Sequence, residues 1–145
     1  MDYFPSATVH GIDKNNAEVC GDRIIFHQGN VQSTDFMRNI INKIGVADLI
    51  IDDGSHIALE QLMTFKMLFS MLRAGGLYVV EDVYPIAFGD VFISHIKTLI
   101  DEMQLFTHDL GYSDKIQATT QCVAGISVFR AIIFLRRGDL RLGSR

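Results

Sequence analysis

The chain has 145 residues, of which 48% are hydrophobic and 21% charged, and its formal net charge is −4. This composition is typical of a folded globular protein and excludes a disordered or low-complexity chain. The net negative charge also excludes nucleic acid as the main partner, since arginines are clustered only in the last ten positions.

The first third of the chain alternates apolar runs with one helical pattern. Thr8 to Ile12 and Arg23 to His27 are short apolar-rich runs that predict strands, and the polar stretch between them predicts a short helix or a loop. A serine or threonine cap at 33–34 begins a predicted helix that runs to about Lys43, and Gly45 ends it.

The middle of the chain has the strongest patterns. Ala47 to Ile51 is apolar at nearly every position, which predicts a strand covered on both faces by helices. His56 to Arg73 repeats apolar residues every three or four positions and predicts the longest helix, closed by the "AGG" at 74–76. The next segment, "GLYVVEDVY", predicts a second doubly buried strand that ends in two carboxylates.

The last third predicts a helix from about Phe88 to Leu105 and then two extended segments between Ile116 and Arg136. These segments are predicted to form a closing antiparallel hairpin around Gly125. Strands that alternate with helices indicate βαβ units, so we predict one α/β domain over residues 1–145. Its expected architecture is a three-layer sandwich with a mostly parallel sheet.

Acidic residues follow the predicted strands, at the sheet edge where such folds bind ligands. Asp53 follows one strand, and Glu81 and Asp82 follow the next. Neighbouring strands lie about 5 Å apart, so these three carboxylates can converge on one point. Without lysine or arginine nearby they would repel one another unless a cation neutralised them, and oxygen ligands favour Mg²⁺ or a similar divalent ion.

His56 follows Asp53 by three residues and is placed beside the predicted ion. Histidine titrates near neutral pH, so this side chain could take a proton from a substrate hydroxyl whose pKa the metal has lowered. We therefore predict His56 as a general base for an alcohol. Taken singly, each of these residues is more often a turn residue or helix-start residue, and only their combination favours a functional site.

The segments "YFPSATVHGID", "RIIFHQGN" and "IIDDGSHIALEQLMTFKMLFSMLRAGGLYVVEDV" together resemble class I S-adenosylmethionine-dependent methyltransferases. The resemblance is closest to the metal-dependent sugar O-methyltransferases of the macrocin and mycinamicin type. It covers about Tyr3 to Tyr84, and its most specific part begins at "DDGSH". It implies a Rossmann-like fold, S-adenosylmethionine as methyl donor, Mg²⁺ as cofactor and a sugar or natural product as small-molecule acceptor.

The resemblance also implies individual roles. Asp13 matches the acidic residue that holds the ribose hydroxyls of the methyl donor, and Asn30 stands where an aspartate usually lies near the adenine. Asp52 is either a turn residue or a further contact to the donor. The Mg²⁺ ligands of the family match Asp53 and the acidic pair at 81–82, and its general base matches His56. Gln61 belongs to the same motif, in either a structural or a functional role.

One departure concerns the start of the chain. Members of the family have a strand and a glycine-rich loop before the "GID" strand, whereas only "MDYFPSA" precedes it here. We therefore expect an N-terminally truncated domain, which is either a fragment or a sheet that is rearranged or completed by another chain. An open sheet edge would favour a homo-oligomer.

Two functions remain open from the sequence: a Mg²⁺-assisted O-methyltransferase, and a non-catalytic remnant that binds a metal or a partner chain. A metal-dependent hydrolase or phosphotransfer protein is a weaker third reading, since no phosphate-binding glycine loop is present. Two cysteines without metal-ligand spacing, no leader pattern and no long apolar run predict a cytoplasmic protein without a membrane partner.

Overall fold

The computed structural model describes residues 3–18, 21–84, 90–106 and 122–139. The predicted α/β class is confirmed, because strands and helices alternate along most of these ranges before a closing hairpin. In chain order, the elements are β1 (Val9–Asp13), β2 (Ile24–Gln28), α1 (Thr34–Ile44), β3 (Ala47–Asp52), α2 (Ala58–Leu68), a 3₁₀ turn (Phe69–Met71), β4 (Leu72–Val80), α3 (Val91–Phe106), β5 (Val123–Phe129) and β6 (Ile132–Arg137).

The chain divides into two compact units, Met1–Gly45 and Val46–Arg145. In the first, β1 and β2 form a two-stranded parallel sheet in which Asp13 pairs with Gln28. In the second, four strands are ordered β3-β4-β6-β5. The expected single sheet is thus two sheets, because no strand in the described ranges carries hydrogen bonds between them. The prediction of one domain stays a prediction.

The second unit positions the acidic strand ends. Strands β3 and β4 are parallel neighbours, as predicted, and Asp52 pairs with Val80 so that both strands end at the same level. Phe65 on α2 lies at the centre of the core and contacts the rings of Phe69, Tyr78 and Phe92, at centroid distances of 5.0, 5.3 and 6.4 Å. This aromatic packing holds α2 against β4 through Tyr78.

Helix α1 follows the prediction closely. The Ser33 hydroxyl accepts a hydrogen bond from the Phe36 amide and caps the helix. Asp35 in the first turn and Lys43 in the last complement the helix dipole. Gly45 ends the helix with a φ of 75°, a left-handed conformation that glycine adopts without steric cost. In the part of the chain that the structure describes, no helix is both long enough and apolar enough to cross a membrane.

Helix α2 is shorter than its pattern predicts. It begins at Ala58 and ends at Leu68, and β4 already starts at Leu72. The "AGG" at 74–76 therefore lies inside a strand and does not end the helix. The error has a physical reason: a short apolar run fits a buried helix and a buried strand equally well, and tertiary pairing with β3 decides between them.

The closing hairpin is antiparallel as predicted, but its turn lies at 130–131 and not at Gly125. Gly125 lies within β5, at a shift in the pairing register. The predicted first segment begins outside the described residues. Arg137, one of the clustered arginines in the last ten positions, donates to the main-chain carbonyls of Ser70 and Leu72.

The prediction that β3 is covered on both faces is wrong. Its residues Leu49 and Ile51 are 41% and 56% exposed, whereas Asp52 is buried. Strand β3 lies at one edge of the four-stranded sheet. The continuous apolar sequence of β3 therefore predicts more burial than the strand has in this structure.

Two histidines of the first unit form a close pair. His10 on β1 and His27 on β2 stack with an angle of 4° between ring planes, and Nδ1 of His10 lies 2.9 Å from Nε2 of His27. In this hydrogen bond one ring nitrogen must donate and the other accept. Burial lowers the pKa of His27, and electrostatic interactions with Lys43 and His10 lower it further.

Acidification is therefore expected to weaken the first unit. The pKa of His27 in the folded chain lies below the 6.5 of an unperturbed histidine, so the unfolded chain binds the proton first. The contribution of neutral His27 to the free energy of unfolding is fully present above pH 6.5. It is lost as the pH falls through the lower pKa of His27 in the folded chain. Urea unfolding at about pH 7.5 and about pH 5.5 spans this range and measures the difference.

The His27→Gln variant supplies the control for this pH dependence. It should reduce the difference between the two free energies of unfolding without removing it, because burial also lowers the pKa of His95. An undiminished pH dependence in the variant would contradict a role for the histidine pair.

Candidate metal and proton-transfer site

Three side chains converge where β3 and β4 end. One ligand atom from each of Asp53, His56 and Asp82 lies within 4.8 Å of the other two. Nε2 of His56 is 4.0 Å from a carboxylate oxygen of Asp53 and 3.9 Å from one of Asp82. The side chains are 39% to 60% exposed, so the group opens to solvent. Three of the predicted site residues are thus brought together.

The backbone at two of these residues is unusual. His56 has a φ of 57° and Asp82 a φ of 51°, which places both in the left-handed region that residues with a side chain rarely adopt. Such conformations persist only where the surroundings hold them, and they concentrate at functional sites. Here both left-handed conformations occur at residues whose side chains face each other across the ends of β3 and β4.

His56 presents one nitrogen to the acidic group. Nε2 faces Asp53 and Asp82, whereas Nδ1 is buried and has no hydrogen-bond partner among the described residues. A hydroxyl group placed between the carboxylates would therefore meet Nε2. This arrangement can accept a proton at the site, which is the chemistry predicted for His56.

Asp52 lies apart from this group and points into the core. It is 9% exposed, and its carboxylate accepts hydrogen bonds from the Tyr78 hydroxyl at 3.0 Å and from the Gly54 amide. Burial raises the pKa of Asp52, and the two hydrogen bonds oppose that shift. The pKa of the buried Tyr78 hydroxyl is raised well above its usual value by burial and by the Asp52 carboxylate. A contact from Asp52 to a methyl donor stays a prediction.

Glu81 is not brought into the three-residue group, and its predicted role as a ligand also stays a prediction. Its main chain is held firmly: the amide donates to the Asp52 carbonyl at 3.0 Å, and the carbonyl accepts from Nε2 of Gln61 at 3.2 Å. Gln61 is 3% exposed, and this hydrogen bond is a structural contact; a functional role for Gln61 stays a prediction. Its amide links α2 to the residue that precedes Asp82.

Sequence reasoning missed Tyr84. Its hydroxyl donates to a carboxylate oxygen of Asp82 at 2.9 Å, and this hydrogen bond raises the pKa of the tyrosine. The only signal in the sequence is the tyrosine two positions after the acidic pair, which by itself indicates nothing about contact. The hydrogen bond orients one oxygen of Asp82 and leaves the other facing His56.

Several known proteins are similar to this chain in sequence and in fold. The tetracenomycin-C 3'-O-methyltransferase of Streptomyces olivaceus, which acts on an 8-(2-methoxy-alpha-L-rhamnosyl) form of that compound, is 30% identical over 95% of this chain. The mycinamicin VI 2''-O-methyltransferase of Micromonospora griseorubida is 29% identical over 94%. A solved structure of the MycE methyltransferase of the mycinamycin pathway, with Mg and SAH, matches 97% of this chain at 27% identity and a TM-score of 0.83. The chain belongs to the S-adenosylmethionine-dependent methyltransferases.

The match covers only part of each relative. The chain spans 36% and 37% of the two curated relatives and 40% of the MycE chain. No protein-family model matches the sequence. The predicted family resemblance is confirmed, and the predicted fold class is confirmed with it.

Two of the predicted donor-binding residues, Asp13 and Asn30, lie in the first unit. Asp13 ends β1 and Asn30 follows β2, so parallel pairing brings both to one edge of that sheet. Both are exposed. Each stabilises its own turn: the Asp13 carboxylate accepts from the Asn15 amide at 2.6 Å, and the Asn30 side chain accepts from the Gln32 amide at 2.9 Å. The second carboxylate oxygen of Asp13 is left for another donor.

The group in the second unit fits a divalent cation. Carboxylate oxygens of Asp53 and Asp82 lie within 4.8 Å of each other, which is close enough for both to bind one ion. Mg²⁺ is commonly held by one or two carboxylates, with waters completing its coordination shell. In the described part of the chain, this is the one group of at least three acidic, histidine or cysteine side chains with that spacing. The donor chemistry therefore agrees with the metal predicted from the sequence.

Proposed function

We propose that this chain carries the methyl-transfer site of a Mg²⁺-assisted O-methyltransferase that acts on a hydroxyl of a sugar-like or natural-product acceptor. The observation that carries the proposal is the convergence of Asp53, His56 and Asp82 at the ends of two adjacent parallel strands. The names of the relatives support the acceptor class, since one is an O-methyltransferase of a rhamnosyl form of tetracenomycin-C and the other of mycinamicin VI.

The residues have separate roles in this proposal. Asp53 and Asp82 hold the ion, with Glu81 as the predicted third ligand. A bound divalent ion supplies polarisation of the acceptor hydroxyl. His56 receives the proton at Nε2, the atom that faces both carboxylates.

The chemical step conserves atoms and charge. The acceptor O–H bond breaks and its proton moves to His56, while the oxygen forms a bond to the methyl carbon of S-adenosylmethionine. The bond from that carbon to sulfur breaks, and its electron pair stays on sulfur to give S-adenosylhomocysteine. Orientation of the two reactants accounts for a large part of the rate, because it converts an encounter in solution into a step within one complex.

Donor binding is proposed for the first unit. The carboxylate of Asp13 can accept two hydrogen bonds from the vicinal ribose hydroxyls, and the amide of Asn30 can pair with the adenine.

Calorimetry with S-adenosylhomocysteine, with and without Mg²⁺, tests donor binding. We expect binding in both conditions. The Asp13→Ala variant should bind about tenfold or more weakly, because hydrogen bonds to a charged group are lost. Asp22→Ala is the matched control, since it removes another exposed aspartate of the same unit. No binding by the unmodified chain in either condition would contradict its activity as a methyltransferase.

A second candidate function is association with a second copy of the chain, without catalysis. The exposed Leu49 and Ile51 on the edge strand β3 favour it, because an open strand with apolar side chains can pair with another. Sedimentation equilibrium distinguishes the two candidates: a monomer that transfers methyl groups would exclude the non-catalytic one.

A further inference from the structure

We infer that Tyr78 and Gln61 are positioning residues for the cation site, and this inference rests on the proposed function. Neither side chain belongs to the group of Asp53, His56 and Asp82. Each is buried and makes a long-range hydrogen bond next to one of its members: Gln61 to the main-chain carbonyl of Glu81, and Tyr78 to the side-chain carboxylate of Asp52.

The Tyr78 contact acts on the turn that contains His56. The tyrosine hydroxyl holds the carboxylate of Asp52 at 3.0 Å, and the same carboxylate accepts from the Gly54 amide. A Cβ atom at Gly54 would lie 3.1 Å from the Asp52 carboxylate, so the missing side chain lets the turn close over it. The segment from 52 to 54 is thereby pinned two residues before the left-handed His56.

The Gln61 contact acts on the opposite strand end. Nε2 of Gln61 donates to the Glu81 carbonyl, which belongs to the peptide bond that leads into Asp82. The Glu81 amide donates to the Asp52 carbonyl, so Glu81 is held on both sides, by the strand end of β3 at its amide and by Gln61 at its carbonyl. The left-handed φ of Asp82 follows directly after this anchored peptide.

These contacts matter because left-handed backbone at His56 and Asp82 is maintained only when its surroundings restrict the alternatives. If either anchor is removed, its strand end can relax to a conformation that turns the side chain away from the ion. Hydrogen-bonding partners of this kind usually change metal affinity by about 10- to 100-fold when removed.

The test uses the full chain, with binding of Mn²⁺ and Mg²⁺ measured by calorimetry at a temperature where circular dichroism shows each variant folded. Tyr78→Phe removes only the hydroxyl and keeps the ring contacts with Phe65 and Phe69. Gln61→Leu removes the amide at similar size. Both should weaken metal binding by about 10- to 100-fold.

Matched controls separate positioning from loss of packing. Phe69→Leu disturbs the ring packed against Tyr78, and Thr64→Val changes a buried polar side chain on the same helix as Gln61. We expect both controls to lower thermal stability and to leave metal affinity unchanged. A parallel loss of affinity in the controls would overturn the inference.

A metal-free readout makes the outcome independent of the proposed function. Amide hydrogen exchange at 54 and 81, where the amides donate to the carboxylate and the carbonyl of Asp52, should accelerate in Tyr78→Phe and Gln61→Leu, respectively, while exchange in β6 stays as in the unmodified chain. If the unmodified chain binds metal and both variants bind it equally well, the positioning role is wrong and the proposed function stands. If the unmodified chain binds no metal, the proposed function fails, and unchanged exchange at both positions would overturn the positioning role as well.

Discussion

Replacing His56 with alanine is expected to slow methyl transfer by about 10²- to 10⁴-fold, the usual contribution of a positioned general base. Nε2 of His56 is the nitrogen within 4.0 Å of both acidic side chains, so no other histidine of the described chain takes this position. Transfer to a rhamnosylated acceptor, followed with radiolabelled methyl donor, measures the change. S-adenosylhomocysteine affinity should be unaffected, because the imidazole is proposed to contact the acceptor and not the donor.

Chemical rescue gives this prediction a second readout. The alanine variant leaves a space open to solvent, since the His56 side chain is 39% exposed. Added imidazole should therefore restore part of the lost rate. A variant that transfers methyl groups at the unmodified rate would exclude His56 as the base, whereas loss of rate without rescue would indicate a role in shaping the turn.

The second large effect is expected at the two carboxylates. Asp53→Asn and Asp82→Asn should each weaken Mg²⁺ binding by more than the roughly 10- to 100-fold that loss of an outer partner costs, because a direct charged ligand is removed. The same substitutions should slightly raise the stability of the metal-free chain, since one of two neighbouring negative charges disappears. Thermal unfolding with and without Mg²⁺ measures both effects.

Asp101→Asn is the matched control for this pair. It removes the same charge from an exposed position on α3, outside the three-residue group. Its Mg²⁺ affinity should equal that of the unmodified chain. If the three variants lose affinity equally, the cation responds to net charge and the proposed site is wrong.

The asparagine substitutions should raise stability without Mg²⁺ and lower it with Mg²⁺, and this change of sign distinguishes a cation site from a chance cluster of acidic residues. Exposed acidic groups are common without a function, and a structural cluster would show no gain of stability when Mg²⁺ is added. A bound ion stabilises the folded chain by an amount that grows with the logarithm of its concentration relative to Kd. The unmodified chain should therefore melt at a higher temperature as Mg²⁺ rises, and both asparagine variants should lose that response.

The sequence could predict those features that depend on local pattern. Ser33 and Gly45 mark the two ends of α1 because capping and left-handed glycine act within a few residues. The placement of Asp53 and Asp82 at one sheet edge also follows from local pattern, since carboxyl ends of neighbouring parallel strands lie together. Family membership was likewise indicated by the motif that begins at "DDGSH".

Other features depend on contacts between residues distant in the sequence. The end of α2 at Leu68 depends on the pairing of Leu72 with β3, because an apolar run does not itself distinguish helix from strand. The exposure of Leu49 and Ile51 depends on which elements cover β3, and their apolar character carries no information about that.

Within the site, the sequence by itself determined which residue types follow the strands, because strand ends and their acidic residues can be read locally. Only the tertiary structure decided that Asp52 turns inward to Tyr78, 26 positions away, while Asp53 faces His56 and Asp82. It also placed Gln61 against the Glu81 carbonyl and gave His56 and Asp82 their left-handed backbone. The physical reason is that adjacent carboxylates are chemically alike in the sequence, and only burial, backbone conformation and long-range hydrogen bonds assign them different surroundings.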